Sequence, residues 1–106
     1  MHSAIGIAVL SIALCGIAGA PVFAQESDGN LERLVRQDCG SCHGMTLKGG
    51  LGPDLRAARL AGRDKAEIAR IILDGVPGTA MPPWRPLLSE SDALWIASYL
   101  LSEDGK

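Results

Sequence analysis

Three stretches of this chain repeat apolar residues at helical spacing, and none alternates apolar and polar residues at the two-residue period of a strand. In the first, Leu31, Leu34 and Val35 share one side while Glu32, Arg33 and Arg36 take the other, which predicts a helix from about Asn30 running into Cys39. Ser27 and Asp28 stand ready to cap it. In the second, Ala66, Ile68, Ala69, Ile71, Ile72 and Leu73 follow Asp64-Lys65-Ala66-Glu67, which resembles a capping box, and stop at Gly75. A helix of roughly residues 64–74 is expected. The third opens on Ser89-Glu90-Ser91-Asp92 and is nearly apolar all round from Leu94 to Leu101, so it must be buried against other elements. Trp95 and Tyr99, four apart, share a face there and are expected to pack against the first helix and a bound ring.

Between these elements, residues 44–53 have loop composition, with Gly44, Gly49, Gly50, Gly52 and Pro53. Residues 54–60 suit a short helix. Residues 76–86 hold four prolines and a glycine, so they form a stiff, extended loop. The expected fold class is all-α.

The first twenty residues change the picture of the whole chain. Residues 4–20 are almost wholly small or apolar, with Val22 and Ala24 at the positions a signal peptidase prefers, so residues 1–24 read as a signal peptide cleaved after Ala24. They are too rich in Ala, Gly and Ser for a convincing span, and an uncleaved anchor is the alternative. Leu14 is too large for lipoprotein processing at Cys15. What remains is one domain, residues 25–106, short enough that a polypeptide core alone is marginal. Every charged side chain lies in it, and the formal net charge of -2 supports no nucleic-acid reading.

Export implies an oxidising compartment, the periplasm, and there the mature chain carries only Cys39 and Cys42. They belong to Cys39-Gly40-Ser41-Cys42-His43. A Cys-x-x-Cys-His run is the attachment pattern of a c-type haem: two thiols on one side of a helical turn reach two vinyl groups, and the next histidine is carried beneath the ring. The alternatives are a redox-active cysteine pair and half a zinc site, which lacks a fourth ligand. A covalent haem also brings the apolar surface that so short and aromatic-poor a domain needs. Met81, at the centre of the proline-rich loop, is the candidate for the second axial position, against the alternative of a core gap-filler. Met1 leaves with the leader, and Met45 is too near His43 to reach the opposite face. The carbonyl of Pro53 is the candidate acceptor for the second ring nitrogen of His43.

Helix, Cys-x-x-Cys-His, Gly52-Pro53-Asp54-Leu55, helix, Gly78-Thr79-Ala80-Met81-Pro82 and terminal helix together resemble a class I cytochrome c across the mature chain. The resemblance implies three main helices around one covalently attached haem c, with the first and last helices crossing. It maps the axial ligands onto His43 and Met81, the orienting proline carbonyl onto Pro53 and the terminal-helix aromatic onto Tyr99. Many members have glycine where the first helix crosses the last; here Leu31 stands, which implies a wider crossing. At finer grain, Asp38 to Pro53 and Thr79 to Trp84 are similar to the cytochrome c55X group, small periplasmic cytochromes encoded beside the nitrite reductase of denitrifiers that carries one c haem and one d-type haem. That implies an electron donor to this reductase, or a helper in maturation of the reductase or its d-type haem, or a partner of another periplasmic oxidoreductase.

An iron held by both His43 and Met81 has no open position, which favours an electron carrier over an enzyme; a monomer is the separate expectation. A haem sensor or peroxidase-like enzyme would require Met81 to leave. Six basic residues between Lys48 and Arg70 (Lys48, Arg56, Arg59, Arg63, Lys65, Arg70) face an acidic last helix and tail in sequence, an asymmetry that steers an encounter or is an ordinary solvated surface.

Overall fold

The computed structural model describes residues 27–102, together with positions 6, 11, 12 and 16. The leader expected over residues 1–24, its cleavage site and the tail beyond Ser102 otherwise lie outside the described residues. Among the described residues the structure is helical and contains no strand.

Helix α1 (Asp28–Leu34) begins two residues earlier than its apolar spacing predicts. Ser27, with extended backbone, accepts the Asn30 amide on its hydroxyl at 3.3 Å, and Asp28 supplies a negative charge to the first turn, where the helix dipole favours it. The helix continues through a π turn, Val35–Cys39, into α2 (Gly40–His43). Nothing local announces the π turn, since Val35-Arg36-Gln37-Asp38-Cys39 has neither glycine nor proline. It carries Val35 fully buried in the core and Cys39 half-buried at the site.

The short helix expected from Asp54 is only α3 (Ala57–Leu60). Asp54 turns its carboxylate onto the Arg56 amide at 2.9 Å, a local turn that competes with helix and leaves Arg56 extended. Asp64 caps α4 (Lys65–Asp74) through the Ala66 amide, two residues on. α5 (Glu90–Leu101) has a full capping box, with Asp92 bonded to the Ser89 amide and Ser89 to the Asp92 amide. That reciprocal bonding is why Asp92 can be buried.

The core forms where α4 packs along α5 and α1 crosses it. Ile68, Ile72 and Leu73 of α4 meet Ile96, Ala97 and Leu100 of α5, and burying each large side chain contributes about 1.5–3 kcal/mol. Leu31, 2% exposed, is the buried residue of α1, so a leucine fills this side of the core. Leu47 is fully buried as well, at φ 59° inside the glycine-rich loop. The three long segments leave one large cavity between them, walled by both loops.

Candidate haem site

Cys39, Cys42, His43, Pro53 and Met81 all line a single open cavity of ≈ 1190 Å³. Continuous helix from the π turn through α2 presents the first three: Cys39 half-buried, Cys42 exposed and His43 between. Neither cysteine is in a disulfide. Burial, reinforced by the neighbouring Asp38 carboxylate, pushes the Cys39 thiol up to about 11. Thiol-exchange pairs are tuned the other way, toward thiolate, so this environment does not suit redox cycling.

The Pro53 carbonyl lies 2.7 Å from Nδ1 of His43. A carbonyl only accepts, so Nδ1 carries the proton and Nε2 keeps its lone pair for a metal. The ring is also held sterically. A side chain at Gly52 would place Cβ 2.6 Å from His43 Cε1, which is why the residue before Pro53 must be glycine. The Gly52 amide donates to the Cys42 carbonyl at 2.7 Å, tying the loop back to the motif helix.

Met81 reaches the same cavity from the loop after α4. That loop is fastened to one turn of helix at both ends. Gly75 ends α4 with its amide on the Ile71 carbonyl, and the Trp84 and Arg85 amides return to the carbonyls of Ile72 and Leu73 at 3.1 and 3.0 Å. The Arg85 side chain adds a pair to Asp74 at 2.7 Å. Thr79 steadies the turn before Met81, donating its hydroxyl to the Val76 carbonyl and accepting the Met81 amide.

Much of the remaining wall is apolar, with Leu34, Ile68, Ile72, Leu88, Ile96 and Leu100. Trp95 and Tyr99 do not line it. They stack on each other, centroids 5.1 Å apart, and Tyr99 meets the first helix as expected; the other half of the expectation is corrected, since on this helix Ile96 and Leu100, not the aromatic pair, face the cavity. Of the six basic residues, Lys48, Arg56, Arg59 and Arg63 reach the cavity wall, whereas Lys65 and Arg70 do not. Arg56 grips Asp54 at 2.8 Å and holds its carboxyl down at about 2.

A haem fits this site on the structure's own terms. The cavity exceeds the usual range of small-molecule pockets, its wall is largely apolar, and its donors are two thiols, an imidazole with a free Nε2 and a thioether. Among the described residues no group of three or more His, Cys, Asp or Glu is assembled for a metal ion, so a zinc site is not formed there. Sequence reasoning did not single out Leu47 or Arg85. It read Gly52 as a loop glycine beside Pro53 and Gly75 as a helix end, and carried no signal for their contacts with His43 and Met81.

Residues 26–100 match the family model described as cytochrome C oxidase, cbb3-type, subunit III, and with this fold and cavity they define a c-type cytochrome domain. Such domains hold haem c covalently. The chain is 55% identical to cytochrome c55X of Paracoccus denitrificans over 92% of this chain and 95% of that one. It therefore belongs to the cytochrome c55X family. A solved structure titled c-type cytochrome NirC superposes with a TM-score of 0.67 at 46% identity, over 69% of this chain and 86% of the other. A dihydro-heme d1 dehydrogenase of Pseudomonas aeruginosa is 35% identical over 87% of this chain, a stretch that makes up 18% of that larger protein. No helix among the described residues is long and apolar enough to cross a membrane.

Proposed function

We propose that this chain is a periplasmic, monomeric carrier of single electrons with one haem c, delivering to a dissimilatory nitrite reductase. Cys39 and Cys42 would hold the group through thioethers, and His43 and Met81 would serve as its iron ligands. The observation that carries this reading is the convergence on one cavity of His43, its Nδ1 already committed to Pro53, and Met81 from the far loop. A bound haem supplies the Fe(II)/Fe(III) couple; the chain supplies position and electrostatics. The bond to Pro53 keeps the imidazole in one tautomer and one orientation. The Met81 thioether, a soft ligand, favours the reduced state and sets a more positive potential than a second histidine would. With both axial positions taken, no site is left for substrate, so the chain is a carrier and not an enzyme.

Residues 1–24 serve in this reading as a signal peptide cleaved after Ala24. A second role, in maturation of the reductase or its d-type haem, is favoured by the similarity to a dihydro-heme d1 dehydrogenase. The test is to export the chain beside a haem-attachment system and measure intact mass, then optical spectra oxidised, reduced and reduced with carbon monoxide. One haem on residues 25–106, a methionine-to-iron charge-transfer band and indifference to carbon monoxide are expected. A high-spin spectrum that binds carbon monoxide readily would overturn the carrier reading. Mixing the reduced protein with purified nitrite reductase then separates the roles, since a donor is oxidised in step with nitrite reduction and a maturation factor is not.

A further inference from the structure

We infer that Gly75 is the positioning residue for Met81: its missing side chain lets the Met81 peptide lie against the end of α4, and this contact sets how firmly the thioether is held at the cavity. The inference rests on the reading of Met81 as an iron ligand. A Cβ at Gly75 would stand 2.7 Å from the Met81 carbonyl oxygen, 2.8 Å from the Pro82 carbonyl carbon and 2.9 Å from the Pro83 nitrogen. All three are backbone atoms, in a segment where two prolines leave little freedom to swing aside. The residue also sits at φ 69°, ψ -172°, a conformation essentially confined to glycine. Beside the contact, the Val76 amide donates to the Met81 carbonyl at 3.2 Å, so the peptide is both admitted and gripped. The Trp84 and Arg85 amides, bonded to α4 further on, prevent the loop from drifting as a whole to make room. A side chain at Gly75 therefore pushes on the backbone of Met81 and of the two prolines that follow it.

Gly78 is the internal control. It lies in the same loop at φ 79°, yet nothing stands within 4 Å of where its Cβ would be, and it does not line the cavity. Carbon monoxide binds the ferrous iron only where Met81 has left, so its apparent affinity reports the open fraction. In the holoprotein, Gly75→Ala is expected to tighten carbon monoxide binding by about tenfold or more and to weaken the methionine charge-transfer band, with Gly78→Ala remaining close to the native protein. Val76→Pro deletes the amide that grips the Met81 carbonyl and should shift binding in the same direction, so the test survives a Gly75→Ala chain that does not fold. Met81→Ala defines the fully open site. If Met81→Ala opens the iron but Gly75→Ala, or in its absence Val76→Pro, binds like the native protein, the positioning role is wrong. Equal shifts in Gly75→Ala and Gly78→Ala would also overturn it, assigning the effect to loop strain. If native and Met81→Ala proteins bind carbon monoxide alike, Met81 is not a ligand, and the positioning role falls with it.

Discussion

The Tyr99 hydroxyl on α5 donates to Glu32 Oε1 on α1 at 3.1 Å, across 67 residues of chain, while accepting from Arg36 Nη2 at 2.9 Å. The Arg36 guanidinium also lies 5.8 Å from the centre of the tyrosine ring, and Trp95 stacks on the ring at 5.1 Å. The crossing of first and last helices is thus tied by a phenol with a partner on each lone side, next to the buried Leu31. The motif helix, and with it Cys39 and His43, is held against the core by this tie.

Tyr99→Phe removes both bonds and leaves Glu32 and Arg36 to find water. A loss of about 1–2 kcal/mol is expected, which in a domain of this size lowers Tm by roughly 4–16 °C. Thermal melts of the holoprotein check it. Burial, more than any neighbouring charge, raises the Tyr99 phenol above its ordinary value of 10.0, so the folded state favours the neutral form. That contribution is complete below pH 10 and is lost as pH rises through the raised value; Phe at this position should flatten the alkaline limb of stability against pH.

Gly52→Ala places a methyl group against the His43 ring, where 2.6 Å to Cε1 is available. The imidazole must tilt and lose its alignment with Pro53. We expect a high-spin component in the ferric optical spectrum with far-ultraviolet dichroism unchanged. A native low-spin spectrum in a folded Gly52→Ala protein would mean the loop yields instead of the histidine.

Asp54, held at about 2 by hydrogen bonds from the Arg56 side chain and amide, gives an acid-side signature. Its folded value is depressed, so its stabilisation is present above the ordinary 3.8 and disappears as pH falls through about 2. Asp54→Asn should lower stability at pH 5, with the difference shrinking below pH 3.8 and vanishing only below about pH 2. Urea titrations across this window decide it.

Ser89→Ala removes the hydroxyl that accepts the Asp92 amide and breaks one half of the α5 capping box. A loss of about 1 kcal/mol is expected, visible as a lower urea midpoint at unchanged slope.

Much of this protein was readable along the chain. The three helices, the cap at Ser89, the helix end at Gly75 and the Cys39–His43 motif all follow from spacings of two to four residues, the range over which helical side chains and caps meet. Local competition already blurred the reading where Asp54 bonded the Arg56 amide and shortened α3, and where α1 passed into a π turn. Residues far apart in sequence were settled only by the fold. Leu47 belongs to the core although its loop composition hides it, Tyr99 meets Glu32 and Arg36 instead of the cavity, and Gly52 and Gly75 owe their identity to atoms of His43 and Met81. Periodicity records which face of an element is apolar; it does not record which atom of another segment will stand within 3 Å of that face. Only chain reversal through the two loops brings His43 and Met81 to one cavity, and there the absence of a side chain became as decisive as the presence of one.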